Sequence, residues 1–144
     1  MAPREIEPLT VSGELNSLVS IRRYVLSAAA LAGLDEKTQY AMALACDEIA
    51  TNIINHGYGG GDRLGDVKIV AVLEEDGLTI MIEDSGAVYD PGRALEDSCI
   101  DTDFDERPVG GLGTYLAVSS VDRFHYDRVD DRNRHTLFVR RRND

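Results

Sequence analysis

Cysteine is scarce in this chain. Its two cysteines, Cys46 inside a helical pattern and Cys99 in a polar stretch, form neither a CxxC pair nor a Cys/His cluster, which argues against a disulfide scaffold or a zinc site. Long apolar runs are missing as well: no stretch of about 18 apolar residues could span a bilayer. The opening MAPREIEPLT lacks the apolar segment of a signal peptide. A soluble, cytoplasmic protein without a membrane partner is expected. Basic residues are outnumbered, with 15 Lys and Arg against 26 Asp and Glu and a formal charge of -11. Neutralising phosphates along a nucleic acid needs a basic face, so this balance argues against nucleic acid as a partner, and Arg140, Arg141 and Arg142 read as a solvated end. Two common glycine motifs are also absent. No GxxxxGK[ST] occurs, since Gly57, Gly59, Gly60 and Gly61 lead to Asp62-Arg63, and no GxGxxG follows a strand and opens a helix. Internal repeats and low-complexity linkers are lacking, and 144 residues at 43% hydrophobic content suit one domain over 1–144.

What is present has a readable order. Residues 5–11 read as a first strand. From Glu14 the apolar positions Leu15, Leu18, Val19, the stem of Arg22, Val25, Leu26 and Ala29 recur at helical spacing until Gly33 supplies a stop, predicting a helix over 14–32. Asp35 is the expected N-cap of a second helix through Ala41, Leu44, Ala45, Ile49 and Ile53 to a break at Gly57. Alternation over 67–73 and 78–83, separated by Asp76-Gly77, predicts a β-hairpin. Residues 85–109 contain Gly86, Pro91, Gly92, Pro108 and six acids between Glu96 and Glu106, and a mobile flap is expected there. A short helix from the glycines at 110–113 to Val121 and a hairpin of 122–129 and 134–141, turning at 130–133, complete the chain. The order predicts an α+β fold: a two-layer sandwich of a mixed, mostly antiparallel sheet with helices on one face.

Three features point to chemistry. Glu48 and Asn52 lie four apart in the second helix and so stack on one face, with Leu44 and Ala41 on the same stripe and Asn55 and His56 a turn further on. Each such polar group costs roughly 1 to 3 kcal/mol if buried without a partner, so something polar must meet them: a loop they cap, water at the rim, or a ligand. Asp84 falls by strand parity on the face of Leu78, Ile80 and Ile82, opening its carboxylate toward the helices, where it either starts a turn with Ser85 and Gly86 or accepts from the exocyclic amine of a purine. Gly110-Gly111-Leu112-Gly113 feeds a helix N-terminus, whose free N–H groups favour phosphate.

Taken in order, these segments resemble the anti-sigma-factor serine/threonine kinase branch of the GHKL, or Bergerat-fold, ATPases. Residues 46–58, Cys-Asp-Glu-Ile-Ala-Thr-Asn-Ile-Ile-Asn-His-Gly-Tyr, resemble the N-box; 84–91, Asp-Ser-Gly-Ala-Val-Tyr-Asp-Pro, the G1 box; 110–113 the G2 box; and 133–137 the closing strand. The resemblance runs from about residue 10 to the end and implies binding of ATP and Mg²⁺. It makes Glu48 the general base, Asn52 the Mg²⁺ ligand, and Asp84 the adenine acceptor helped by Gly86 and Thr136. Gly110, Gly111, Leu112 and Gly113 would hold phosphate under an ATP lid at about 85–110. Val88 stands where the family has a second small residue, narrowing the space near base or sugar. The family further implies a homodimer that phosphorylates an anti-anti-sigma antagonist and otherwise sequesters a sigma factor, with Arg22 and Arg23 as partner contacts. Two alternatives remain open at this point: a non-catalytic module of the same fold that sequesters a regulator, and a histidine-kinase fragment, the latter disfavoured because no long helix bearing a phosphoacceptor His precedes the domain.

Overall fold

The computed structural model describes residues 2–59, 65–86 and 117–142. Glycines 110, 111 and 113, Leu112, Val88 and nearly all of the expected lid lie outside the described residues. Two helices, α1 (Leu18–Leu31) and α2 (Glu36–Asn52), pack on one face of a sheet of β1 (Arg4–Glu5), β2 (Leu9–Ser12), β3 (Asp66–Leu73), β4 (Gly77–Asp84), β5 (Arg123–Val129) and β6 (Arg132–Arg140). The strand order is β1-β3-β4-β6-β5, with β2 also on β3, and every described pair is antiparallel. β1 and β2 are two parts of one edge. The register shifts by one residue between Glu5↔Val72 and Leu9↔Ile69, a bulge over 6–8 that contains Pro8. No helix among the described residues is long and apolar enough to cross a membrane.

The core is the layer between sheet and helices. Val67, Ile69 and Ala71 from β3, Leu78, Ile80 and Ile82 from β4, and Leu137 and Val139 from β6 are buried there, as period-two alternation requires. The helices meet them with a stripe rotated from the one expected. In α1 the buried positions are Ile21, Val25, Ala28 and Ala29, while Val19 and Leu26, and Leu15 in the turn just before the helix, are exposed. In α2 they include Met42, Ala45, Cys46, Ile49 and Ala50, while Leu44 is exposed. Alanines let the helices lie close to the sheet, and that close packing decides which face turns inward.

The boundaries between elements follow the chain's local chemistry. Gly33 takes a φ of 73° and closes α1 in a Schellman motif, with its N–H donating to the Ala30 carbonyl and that of Leu34 to Ala29. The Asp35 carboxylate then accepts from the Thr38 N–H at 2.7 Å and starts α2. At its far end α2 does not stop at Asn52 but widens into a π-helical turn, Ile53–Gly57, a local distortion frequent at functional sites. Tyr58 follows at 2% exposure. Its ring is wedged against two glycines: a Cβ at Gly13 would lie 2.3 Å from Tyr58 Cδ2, and one at Gly65 2.2 Å from Cε1. Gly13→Ala is therefore expected to destabilise the fold by about 1–3 kcal/mol through overpacking, read as a lower urea midpoint at unchanged slope. An unchanged midpoint would show that the ring can retreat.

Candidate functional site

The end of β4 is joined to the end of α2 at two places. A Cβ on Gly86 would meet Gly57 Cα at 2.8 Å and Asp84 Oδ2 at 2.9 Å, so only glycine lets the turn after β4 lie against the π-helical turn. The Tyr58 hydroxyl supplies the second joint: it donates to the Asp66 carbonyl at 2.7 Å and accepts from the Ser85 N–H at 2.8 Å. Residues 57–58 and 84–86, distant in sequence, thus form one rigid corner. Asn52 at the C-terminal end of α2 is 3% exposed, and Glu48 one turn earlier is half-buried. Asn55 and His56 are both exposed in the π-helical turn.

Asp84 faces the helices, as strand parity predicts, and is 1% exposed. Its Oδ2 accepts from the Gly86 N–H at 2.9 Å and from Asn133 Nδ2 at 3.2 Å. Its Oδ1 is buried and has no hydrogen-bond partner among the described residues. Burial pushes the carboxyl above its ordinary range, while the Asn133 and Gly86 N–H groups and the Arg132 and Arg128 guanidiniums pull it back. Leaving one carboxylate oxygen unmatched in a dry interior is unfavourable. A ligand that brings a donor would complete it.

Glu48 has a different environment. Burial and the neighbouring Asp47 charge both raise its carboxyl above the usual glutamate range. Asp47 itself is held by Arg22 at 2.5 Å, which ties α1 to the exposed flank of α2 beside Glu48. A half-buried carboxylate with a raised affinity for protons suits a proton acceptor.

The structure brings Asp84 and Gly86 together directly and places the Asn52 end of α2 against them through Gly57 and Tyr58. Thr136 is not brought to that side. It pairs with Met81 and His125 on the sheet face turned away from the helices, whereas Asp84 pairs with Asn133. Asn133, buried at 1% exposure, is the contact that sequence reasoning missed. The expected turn at 130–133 put it in a loop, although the resemblance set 133–137 on the closing strand; the turn is only Asp130-Asp131, with φ of 50° and 62°, the conformation of a two-residue hairpin. Two consecutive turn-forming acids were the available signal, and counting β6 from Arg132 places Asn133 opposite Asp84.

Comparison with known proteins bears on the family and the fold. Two curated relatives are named serine-protein kinase RsbW. The one from Bacillus cereus is 34% identical over 84 residues, covering 56% of this chain and 51% of the relative. The one from Bacillus licheniformis is 28% identical over 104 residues, covering 66% and 65%. The chain therefore spans between about half and two thirds of the length of the curated relatives it matches. A crystal structure of the RsbU and RsbW domains of a Mycobacterium tuberculosis protein superposes with a TM-score of 0.63 at 18% identity, covering 94% of this chain and 32% of that one, a likeness of fold. Residues 11–139 match the model of a family described as the histidine kinase-like ATPase domain. That match takes in both helices, strands β3 to β6 and the joined corner at Asp84, and this chain belongs to the histidine kinase-like ATPase domain family.

Proposed function

We propose that this chain is an ATP-dependent protein serine/threonine kinase and anti-sigma factor, which phosphorylates an anti-anti-sigma protein and otherwise sequesters a sigma factor, acting as a homodimer. The observation that carries the nucleotide site is the buried, unmatched Oδ1 of Asp84, an acceptor suited to the exocyclic amine of adenine. The curated relatives' name, serine-protein kinase, supports the transfer reaction.

The donor set suits a nucleotide with its metal. Asn52 offers a neutral oxygen of the kind Mg²⁺ accepts alongside phosphate and water, and Mg²⁺ would supply charge neutralisation on the phosphates. Glu48, one helical turn before Asn52, takes the proton of the incoming serine or threonine hydroxyl as its oxygen bonds to the γ-phosphorus and the bond to the β,γ-bridging oxygen breaks, releasing ADP. Gly86, with no side chain, keeps the corner beside Asp84 open to backbone approach. The glycines 110, 111 and 113 with Leu112 would serve as the phosphate cradle by the N–H chemistry expected of them.

Three outcomes test this reading. Glu48→Gln retains Mg-ATP binding and loses phosphoryl transfer to the antagonist by at least about 100-fold, checked by calorimetry and by labelled phosphate appearing on the antagonist. Equal transfer would remove Glu48 from the base role, and binding without transfer in the wild type would favour a non-catalytic sequestering module. In the wild type the transfer rate rises with pH through a midpoint above the ordinary glutamate range, because the base works only once deprotonated and its environment retains the proton. A midpoint at or below the usual glutamate value would contradict that role.

Asp84→Asn has opposite effects in two assays. A carboxyl raised above its unfolded value favours the fold below the unfolded pKa and loses that contribution as pH rises through the folded one. At neutral pH the wild type therefore carries a destabilising charge, and the amide variant melts a few degrees higher without ligand, about 2–4 °C per kcal/mol recovered. Its stabilisation by added ATP shrinks. Lower intrinsic stability with undiminished ATP response would reverse the account of Asp84.

A further inference from the structure

One transverse row of side chains crosses the end of the sheet on its helix-facing side. The strand register places Asp84 of β4 opposite Asn133 of β6, and Asn133 opposite Arg128 of β5. Carboxylate, amide and guanidinium therefore stand in line, with Tyr126 two residues before Arg128 on the same face.

The amide in the middle has a chemically forced orientation. Asn133 Oδ1 accepts from the Tyr126 hydroxyl at 2.5 Å and from Arg128 Nη1 at 3.0 Å. Its Nδ2 donates to Asp84 Oδ2 at 3.2 Å and to the Gly86 carbonyl at 3.3 Å. Turned over, the NH₂ would face the Arg128 guanidinium and the oxygen would face a carboxylate and a carbonyl, so three of the four contacts would become unfavourable, while the Tyr126 hydroxyl can accept as well as donate. Arg128 on one side and the Asp84 carboxylate and Gly86 carbonyl on the other thus fix which end of Asn133 meets Asp84, and Tyr126 anchors the amide oxygen.

We propose that Asn133, oriented by Tyr126 and Arg128, is a positioning residue that makes the site select 6-aminopurine over 6-oxopurine nucleotides. The inference rests on the nucleotide-binding reading above. With Oδ2 occupied by the Asn133 and Gly86 N–H groups, the only unmatched atom of the carboxylate is Oδ1, a pure acceptor. Adenine offers a donor to it, whereas guanine offers its O6 acceptor and meets repulsion. Selectivity fails if the carboxyl turns or takes a proton on Oδ1, because it could then donate to O6. Burial favours that proton, while the Asn133 and Gly86 N–H groups and the Arg132 and Arg128 charges oppose it. The row thereby holds the rotamer on which discrimination depends and opposes the proton that would spoil it.

The test is calorimetric affinity for Mg-ATP and Mg-GTP in three proteins: wild type, Asn133→Ala, and the double variant Tyr126→Phe with Arg128→Met, which keeps Asn133 but removes both groups that anchor its Oδ1. The wild type is expected to prefer ATP by about 100-fold or more, and both variants to lose about tenfold or more of that ratio. If Asn133 acts only through stability, ATP and GTP weaken together and the ratio stays as in wild type, which overturns the inference while leaving the kinase reading intact. If Asn133→Ala does not fold, the double variant decides alone, since Arg128 is exposed. A wild type that binds neither nucleotide overturns both.

Discussion

A carboxylate that is 1% exposed, between a sheet and two helices, must be hydrogen-bonded or the domain loses stability to it. The Asp84 environment supplies only half of what the group can accept. Two N–H donors meet Oδ2, and they come from the following turn and from the neighbouring strand. Keeping those donors in place requires that Gly86 lie against Gly57, that Tyr58 fasten Ser85, and that β6 enter in the register that sets Asn133 opposite Asp84. The π-helical turn after α2, the glycines around Tyr58 and the two-residue hairpin turn are all parts of one arrangement. The incompletely matched buried carboxylate lies at the corner proposed to take the nucleotide, and the alternating apolar core carries the stability that offsets it.

The two carboxylates are separated by environment. Asp84, deep in the layer, is surrounded by N–H donors and cations that restrain the effect of burial. Glu48, nearer the surface, has a like charge beside it in Asp47, whose own partner Arg22 approaches from α1. On the proposed reading, a fixed acceptor and a proton-accepting base are built from the same functional group by changing what stands next to it. The helix spacing that stacks Glu48 over Asn52 then places the proposed base one turn from the proposed metal ligand.

Much of this was legible in the sequence because it depends on local rules. The stop at Gly33, the cap at Asp35, the hairpin of β3 and β4 and the inward parity of Asp84 all follow from a few neighbouring residues. What was not legible depends on counting across a turn or on close packing. Reading the last turn as four residues instead of two left Asn133 in a loop, and the mapping of Thr136 onto the adenine side took no account of strand parity, which turns it to the outer face. The leucines at 15, 26 and 44 outweigh alanine in any hydrophobic pattern, yet the alanines at 28, 29 and 45 face the core, because a helix laid close against a sheet selects small side chains.

The most direct measurement is a crystal structure with Mg²⁺ and a non-hydrolysable ATP analogue. The adenine amine is predicted to sit about 2.9 Å from Asp84 Oδ1, with Asn133 still donating to Oδ2 and the phosphates directed toward Asn52. An adenine bound elsewhere, or Oδ1 completed by a protein group while the nucleotide lies outside the corner, would contradict the account.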